Sequence, residues 1–386
     1  MNEISITYPN KENFKKIVSQ EPLFELHQRK KIGNGCSIFN KLIFGDNLQV
    51  LKLLSSDSTL KGKIKLIYID PPFSTNQIFR SGLSRTSTIS CSNNDEKAYE
   101  DKLVGSAYIE FLRKRFILLR QLLAEDGSIY VHIDSKMSHY VKVLLDEIFG
   151  YENFINEITR VKCNPKNFSR KAYGNIKDTI LFYSKTSKYV WNDSREDFSE
   201  KDIERLFPKI DKKGRRYTTT PLHAPGETAD GPTGKPWKGI YPPAGRHWRH
   251  SPAELEILNN KGLIEWSSTG NPRKIIFADE FMKKGKKRQD IWLFKDKIYP
   301  LYPTEKNLEM LKVIIQASSN PDDIVLDCFA GSGSTLSAAQ ETNRHWIGID
   351  CSKIAIETGF KRLSSISGCN FIYYEIRNRK NYDEKI

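Results

Sequence analysis

Six short apolar runs punctuate this chain of 386 residues. Lys41–Phe44 (KLIF) stops at Gly45-Asp46, and Ile64–Ile69 (IKLIYI) stops at Asp70-Pro71-Pro72. Ser128–Ile133 (SIYVHI), Thr179–Tyr183 (TILFY), Ile324–Leu326 (IVL) and Trp346–Ile349 (WIGI) complete the set. Each is rich in β-branched or aromatic residues and bounded by turn residues, the pattern of a strand. Between several of them the apolar spacing changes to i, i+3, i+4, i+7. The clearest helix is Tyr108–Ala124; Lys136–Phe149, Glu305–Ala317, Leu336–Thr342 and Ser352–Leu363 read the same way. Strands that alternate with helices predict an α/β fold, its mostly parallel sheet covered on both faces. Residues 84–97 are polar, with little apolar content, and read as a mobile loop.

From 187 to 290 this alternation breaks down. The stretch from Gly214 is dense in Gly, Pro, Thr and basic residues, which favour loops and short strands over helices. It reads as an insertion that divides the sheet domain into 36–186 and 291–365. Residues 1–35 and 366–386 receive no role. Charge sharpens the picture: Lys and Arg number 61 against 47 Asp and Glu, a net +14. Residues 161–290 account for +11 of it, and residues 187–290 hold four of the six tryptophans: Trp191, Trp237, Trp248 and Trp266. Positive charge neutralises phosphates and aromatic faces stack on bases, so the insertion suits a nucleic acid. Arg215, Arg216, Lys235, Trp237, Arg246 and Arg249 are its candidate contacts; the plain alternative is a solvated basic face.

No run of roughly 18 apolar residues is present, so no membrane span is expected. The first residues lack the apolar core of a secretory leader. Six scattered cysteines without a CxxC pair argue against a disulfide scaffold or a bound metal, and fit a cytoplasmic protein.

Two motifs carry the chemistry. Asp70-Pro71-Pro72-Phe73 follows the IKLIYI strand directly. An acidic residue at the carboxyl end of a parallel strand points into the crevice where such folds bind ligands. The prolines remove N–H donors and leave carbonyls free to accept hydrogen bonds, and Phe73 offers a flat stacking surface. The same letters also make an ordinary rigid turn. Asp327-Cys328-Phe329-Ala330-Gly331-Ser332-Gly333-Ser334-Thr335 follows the IVL strand, a glycine-rich bend that lets a nucleotide-like ligand approach the backbone. Asp350 lies 23 residues beyond Asp327, a spacing suited to ribose hydroxyls. No Lys follows the glycines, so a phosphate loop of the GKS type fails, and GxGxxG is incomplete.

Together these segments resemble the DNA amino-methyltransferases that use S-adenosyl-L-methionine. Asp70–Phe73 is similar to their catalytic (D/N/S)PP(Y/F/W) motif, and Asp327–Thr335 to their FxGxG cofactor motif. Tyr302-Pro303-Thr304-Glu305-Lys306 resembles their HPTEKP segment, with Tyr302 and Asn307 in place of the usual His and Pro. The order of catalytic motif, basic region and cofactor motif resembles the β class. GKPWKGI and GRHW in the insertion resemble the branch that includes type III modification subunits. The resemblance implies a Rossmann-like, circularly permuted methyltransferase fold with an inserted target-recognition region. It implies that Asp46, Asp70, Thr304, Lys306, Asp327, Phe329, Ala330, Gly331, Ser332, Gly333, Thr335 and Asp350 line the cofactor site. Asp46 would sit near the cofactor adenine; a turn aspartate is the equal alternative.

By the same resemblance, the reaction is methylation of the exocyclic N6 amine of adenine in double-stranded DNA, because an Asp at the first motif position usually accompanies adenine in this family. N4-cytosine is the alternative. Asp70 and the Pro71 carbonyl would accept the amine hydrogens, and Phe73 would stack on a flipped base. The implied partners are double-stranded DNA, a second copy of the chain and a restriction enzyme. A dinucleotide oxidoreductase and a catalytically silent DNA-binding protein stay open as other classes.

Overall fold

The computed structural model describes residues 4–34, 39–72, 104–165, 171–228, 230–296 and 305–379, with the backbone of Ile78–Ser81 and Glu96–Glu100. The chain divides into two compact units, residues 1–193 with 289–386 and residues 194–288.

The first unit is built on a sheet of ten strands among the described residues. In chain order they are β1 (Phe24–Ile32), β2 (Lys41–Phe44), β3 (Ile64–Ile69), β4 (Leu123–Ile133), β5 (Phe154–Val161), β6 (Lys177–Ser184), β7 (Ile291–Trp292), β8 (Ile324–Asp327), β9 (His345–Asp350) and β10 (Phe371–Asn378). Their order across the sheet is β1-β10-β2-β9-β8-β3-β4-β6-β5-β7. The six strands from β10 to β4 run parallel, with antiparallel partners on either side. All six predicted strands are present. The expected mobile loop 84–97 lies outside the described residues except for its last two positions, which open the strand Glu96–Glu100.

Among the described residues, six helices of eight residues or more cover the sheet. They are α1 (Asn47–Ser56), α2 (Gly105–Leu122), α3 (Ser138–Phe149), α4 (Leu308–Ser318), α5 (Ser334–Glu341) and α6 (Lys353–Ser364). One face packs Val50 and Leu51 of α1, Leu112 and Phe116 of α2, and Leu144 and Leu145 of α3 against Ile67 and Ile69 of β3. The other packs Ile314 of α4, Leu336 of α5 and Leu363 of α6 against Leu66 and Tyr68 of the same strand. Successive side chains of β3 point to opposite faces and both faces are covered, so the run is apolar but for the half-buried Lys65.

Two expectations change. The end segments without an assigned role supply β1 and β10, which pair antiparallel along eight positions and extend the sheet from its β2 edge. β1 (FELHQRKKI) is mostly polar and half-buried or exposed along its length, so no apolar run marked it as a strand. The insertion is also shorter than 187–290. Residues 187–193 belong to the first unit, where the Trp191 ring stacks on Phe182 of β6.

The second unit has its own antiparallel sheet, ordered Lys209–Ile210, Arg216–Pro221, Pro272–Phe277, Ile264–Trp266. Its helices Glu200–Leu206 and Pro252–Asn260 both open with a full capping box, Ser199 with Asp202 and Ser251 with Glu254. Leu222, Trp237, Trp248 and Leu255 form its core.

Candidate active site

The strand order gathers what the sequence scatters. β2, β9, β8 and β3 are neighbours and parallel, so Asp46, Asp350, Asp327 and Asp70 come out at the same edge of the sheet. This is the carboxyl edge, where open α/β sheets bind ligands.

At β3, Asp70 Oδ2 lies 2.9 Å from Lys306 Nζ. The other oxygen, Oδ1, is buried and has no hydrogen-bond partner among the described residues. A buried carboxylate oxygen left bare is costly, and is the mark of a group kept for a ligand. The next turn is fixed from α2, where the Tyr108 hydroxyl donates to the Pro72 carbonyl over 2.5 Å. Phe73 and Thr304 lie outside the described residues.

Behind Asp70 runs a buried polar chain that the sequence reading missed. The Tyr68 hydroxyl is 2.8 Å from His132 Nδ1, and His132 Nε2 is 3.3 Å from Asp178 Oδ2. Lys162 donates to Asp178 Oδ1 over 2.7 Å, and Arg160 stands 3.6 Å from Oδ2. Burial, with the Lys306 charge, holds the His132 pKa below its ordinary value, so the ring is neutral. Burial would raise the Asp178 pKa, but the His132 hydrogen bond and the surrounding cations outweigh it and hold the carboxyl well below its usual range. Burial, with the Asp70 charge, keeps the Tyr68 phenol protonated. A neutral His132 therefore donates from Nε2 to Asp178 and accepts from Tyr68 at Nδ1. The signal in the sequence was a lone His in the otherwise apolar run SIYVHI.

The glycine bend follows β8. Gly331 and Gly333 have φ of +52° and +77°, the left-handed region that glycine enters without strain. The bend folds back on β9: the Gly331 amide donates to Asp350 Oδ2 over 2.8 Å and the Ala330 amide donates to the Ile349 carbonyl over 3.0 Å. The Ser352 amide takes Asp350 Oδ1 at 2.8 Å. Asp350 thus supports the bend itself, whereas the sequence suggested only a ribose ligand. Burial pushes its pKa up. Asp327 is buried, accepts the Phe329 amide at 2.9 Å, and is pushed up to about 7 by burial; the Asp70 and Asp350 charges add to this.

Asp46 caps α1, accepting the Gln49 amide at 3.2 Å, and lies 3.4 Å from Arg115. Its neighbour Asn47 donates to the Cys328 carbonyl over 2.6 Å and accepts from Arg115 Nε over 2.6 Å. Asn47 and Arg115 thereby tie the end of β2 to the start of the glycine bend. Neither stood out in the sequence, because each partner is distant along the chain.

The candidate DNA contacts lie in the second unit and divide. Lys235, Arg246 and Arg249 are exposed. Arg215 is engaged, with Asp279 at 3.0 Å, Glu280 at 3.4 Å and the Phe277 ring beneath it. Arg216 stands 3.8 Å from Glu204. Trp237 is only 4% exposed: its ring stacks on Trp266 at 5.6 Å and its Nε1–H donates to Glu256 over 2.8 Å. It is a core side chain of this unit, and Trp266 carries the exposed aromatic face.

A family model described as DNA methylase matches residues 64–361. The type II methyltransferase M.EcaI of Enterobacter cloacae is 41% identical over 369 residues, which cover 94% of this chain and 78% of that protein. The StyLTI Mod subunit of a type III restriction-modification enzyme from Salmonella typhimurium is 27% identical over 342 residues, 79% of this chain and 50% of that one. The chain therefore spans about half the length of that relative. Among solved structures, the complex of M1.HpyAVI with SAM is 19% identical with a TM-score of 0.44, over 84% of this chain and 100% of that one.

Proposed function

This chain belongs to the DNA methylase family, and on that premise we propose that it methylates the exocyclic N6 amine of adenine in double-stranded DNA, with S-adenosyl-L-methionine as methyl donor. The observation that carries the reading is Asp70: one oxygen held by Lys306, the other buried and bare at the carboxyl edge of the sheet. The Asp at the first position of the Asp70–Phe73 motif favours adenine. Family membership removes the support for a dinucleotide oxidoreductase.

The residues present fit the donor. S-adenosyl-L-methionine would supply a methyl group on a cationic sulfonium, which a nitrogen lone pair can take as the C–S electron pair stays on sulfur as a neutral thioether. Asp70, Asp327 and Asp350 give this edge the opposite charge, and the Gly331–Gly333 bend lets a ligand approach the backbone. The Asp46, Asp327, Phe329, Ala330, Gly331, Ser332, Gly333, Thr335 and Asp350 positions hold it in this reading.

Asp70 and the Pro71 carbonyl act on the amine. Its lone pair is delocalised into the base ring, and two acceptors on its hydrogens favour the pyramidal, nucleophilic form. As the nitrogen gains its fourth bond, Asp70 Oδ1 takes the proton it already holds by hydrogen bond. The contribution is positioning and electrostatics, with no covalent base intermediate. Lys306 offsets the Asp70 charge before the proton arrives. The base must leave the duplex to reach this edge, and Phe73 is its stacking surface. The exposed Lys235, Arg246, Arg249 and Trp266 supply DNA contact from the second unit. A second copy of the chain and a restriction enzyme of the same site complete the reading; several relatives carry restriction-modification names. Among the described residues no helix is long and apolar enough to cross a membrane, which accords with a place in the cytoplasm.

The test is to express the chain in cells lacking adenine methylation, digest their DNA to nucleosides and sequence it for modified bases. N6-methyladenine at one short motif supports the reading. N4-methylcytosine replaces the base assignment, and unmodified DNA overturns the reading.

A further inference from the structure

We infer that Arg362, in the last turn of α6 and outside both motifs, is a positioning residue for methyl transfer. The inference rests on the proposed role of Asp70. Arg362 Nη1 donates to two hydroxyls of the glycine bend, Ser332 Oγ over 3.0 Å and Ser334 Oγ over 2.7 Å. Its Nη2 lies 2.8 Å from Glu305 Oε1. Glu305 is only 2% exposed, and Lys306, the next residue, reaches Asp70 at 2.9 Å. One guanidinium thus clamps the donor-side bend to the short segment that carries the cation of the catalytic carboxylate.

The physics makes the clamp directional. A guanidinium is a rigid fork of donors, so fixing two serines on one nitrogen and a carboxylate on the other sets distance and angle together. Glu305 is buried, and a buried carboxylate that loses a cation from its side is strongly disfavoured. Without Arg362, the cheapest relief is for residues 305–306 to move toward solvent, which draws Lys306 away from Asp70. Asp70 would then be free to turn from the position in which Oδ1 faces the amine. Arg362 has two arms: one reaches Asp70 through Glu305 and Lys306, and the other holds Ser332 and Ser334 of the bend, whose part is read separately as donor affinity.

The experiment is a double-mutant cycle on the single-turnover rate of methyl transfer at saturating donor and DNA. It uses wild type, Arg362→Met, Lys306→Met and the pair, with donor affinity measured by calorimetry. Arg362→Met should slow transfer roughly 10- to 100-fold, the scale of a displaced catalytic group. In the Lys306→Met background the same change should slow it little further, because coupled residues are not additive. Arg362→Lys keeps a cation opposite Glu305 and should recover part of the rate; it replaces Arg362→Met in the cycle if that variant does not fold. A rate for Arg362→Met within about twofold of wild type, or single effects that multiply in full, overturns the inference. Wild type run alongside separates the two claims: an inactive wild type fails the functional reading, whereas an active wild type with an uncoupled Arg362 fails this one.

Discussion

The Gly331 amide points at the Asp350 carboxylate, 2.8 Å from Oδ2. A residue 19 positions further along the chain therefore shapes the glycine bend, and the bend cannot be described by its own letters. Asp350→Ala would leave the Gly331 and Ser352 amides without their partner. The expected loss of donor affinity is at least that of one charge-assisted hydrogen bond, about 1.5–3 kcal/mol. Asp350→Asn keeps an acceptor and should lose less. Calorimetric titration with S-adenosyl-L-methionine checks both, and wild-type affinity in Asp350→Ala would remove this carboxylate from the site.

Asp70→Ala should abolish methyl transfer and leave donor binding largely intact, since the bend and Asp350 are untouched. A tritium transfer assay beside calorimetry measures the two effects separately. Transfer at a rate near wild type would show that another group holds the amine.

Asp327 gives the pH dependence a sign. Its carboxyl is pushed up to about 7 by burial, with Asp70 and Asp350 adding to the effect. In unfolded chain an aspartate ionises near pH 4. Between these values the folded protein binds one more proton than the unfolded chain, so this contribution to stability is full at acid pH and is lost as pH rises through about 7. Melting curves without donor, taken from about pH 5 to 8, should therefore slope less for Asp327→Asn than for wild type. A cationic donor favours the ionised form, so binding near neutrality should release a proton. Calorimetry in buffers of different ionisation enthalpy reads that release, and its absence would place the sulfonium away from Asp327.

The second unit offers a contrast within one residue type. Lys235→Ala, Arg246→Ala and Arg249→Ala should each lower the salt slope of DNA binding by about one unit if they hold phosphates. Arg215→Ala should instead lower the melting temperature and leave the slope unchanged, because Arg215 is committed to Asp279 and Glu280. DNA affinity measured against salt concentration tests all four. Equal slopes for wild type and the three exposed variants would move the DNA contact off this face.

Alternating apolar runs and amphipathic helices disclosed the α/β layering, because each element's burial is written in its own spacing. Asp70-Pro71-Pro72 and the Gly331–Gly333 bend were legible too, since turn chemistry is local. The β1–β10 side of the sheet was not: β1 becomes a strand by pairing with β10, and β10 by lying between β1 and β2, long-range events that no apolar run in the mostly polar FELHQRKKI announces. Nor was Trp237, which the sequence offers as a base-stacking ring and the fold spends on a core. Lys306 was legible as a site residue through the Tyr302–Lys306 resemblance, but its pairing with Asp70 was not, and Tyr108, Asn47, His132 and Arg362 were decided by tertiary structure alone. A hydrogen bond joins residues that the strand order β2-β9-β8-β3 makes neighbours, and the chain order separates them by up to about three hundred positions. Local sequence sets which chemistry is on hand; the closure of the sheet sets which groups touch.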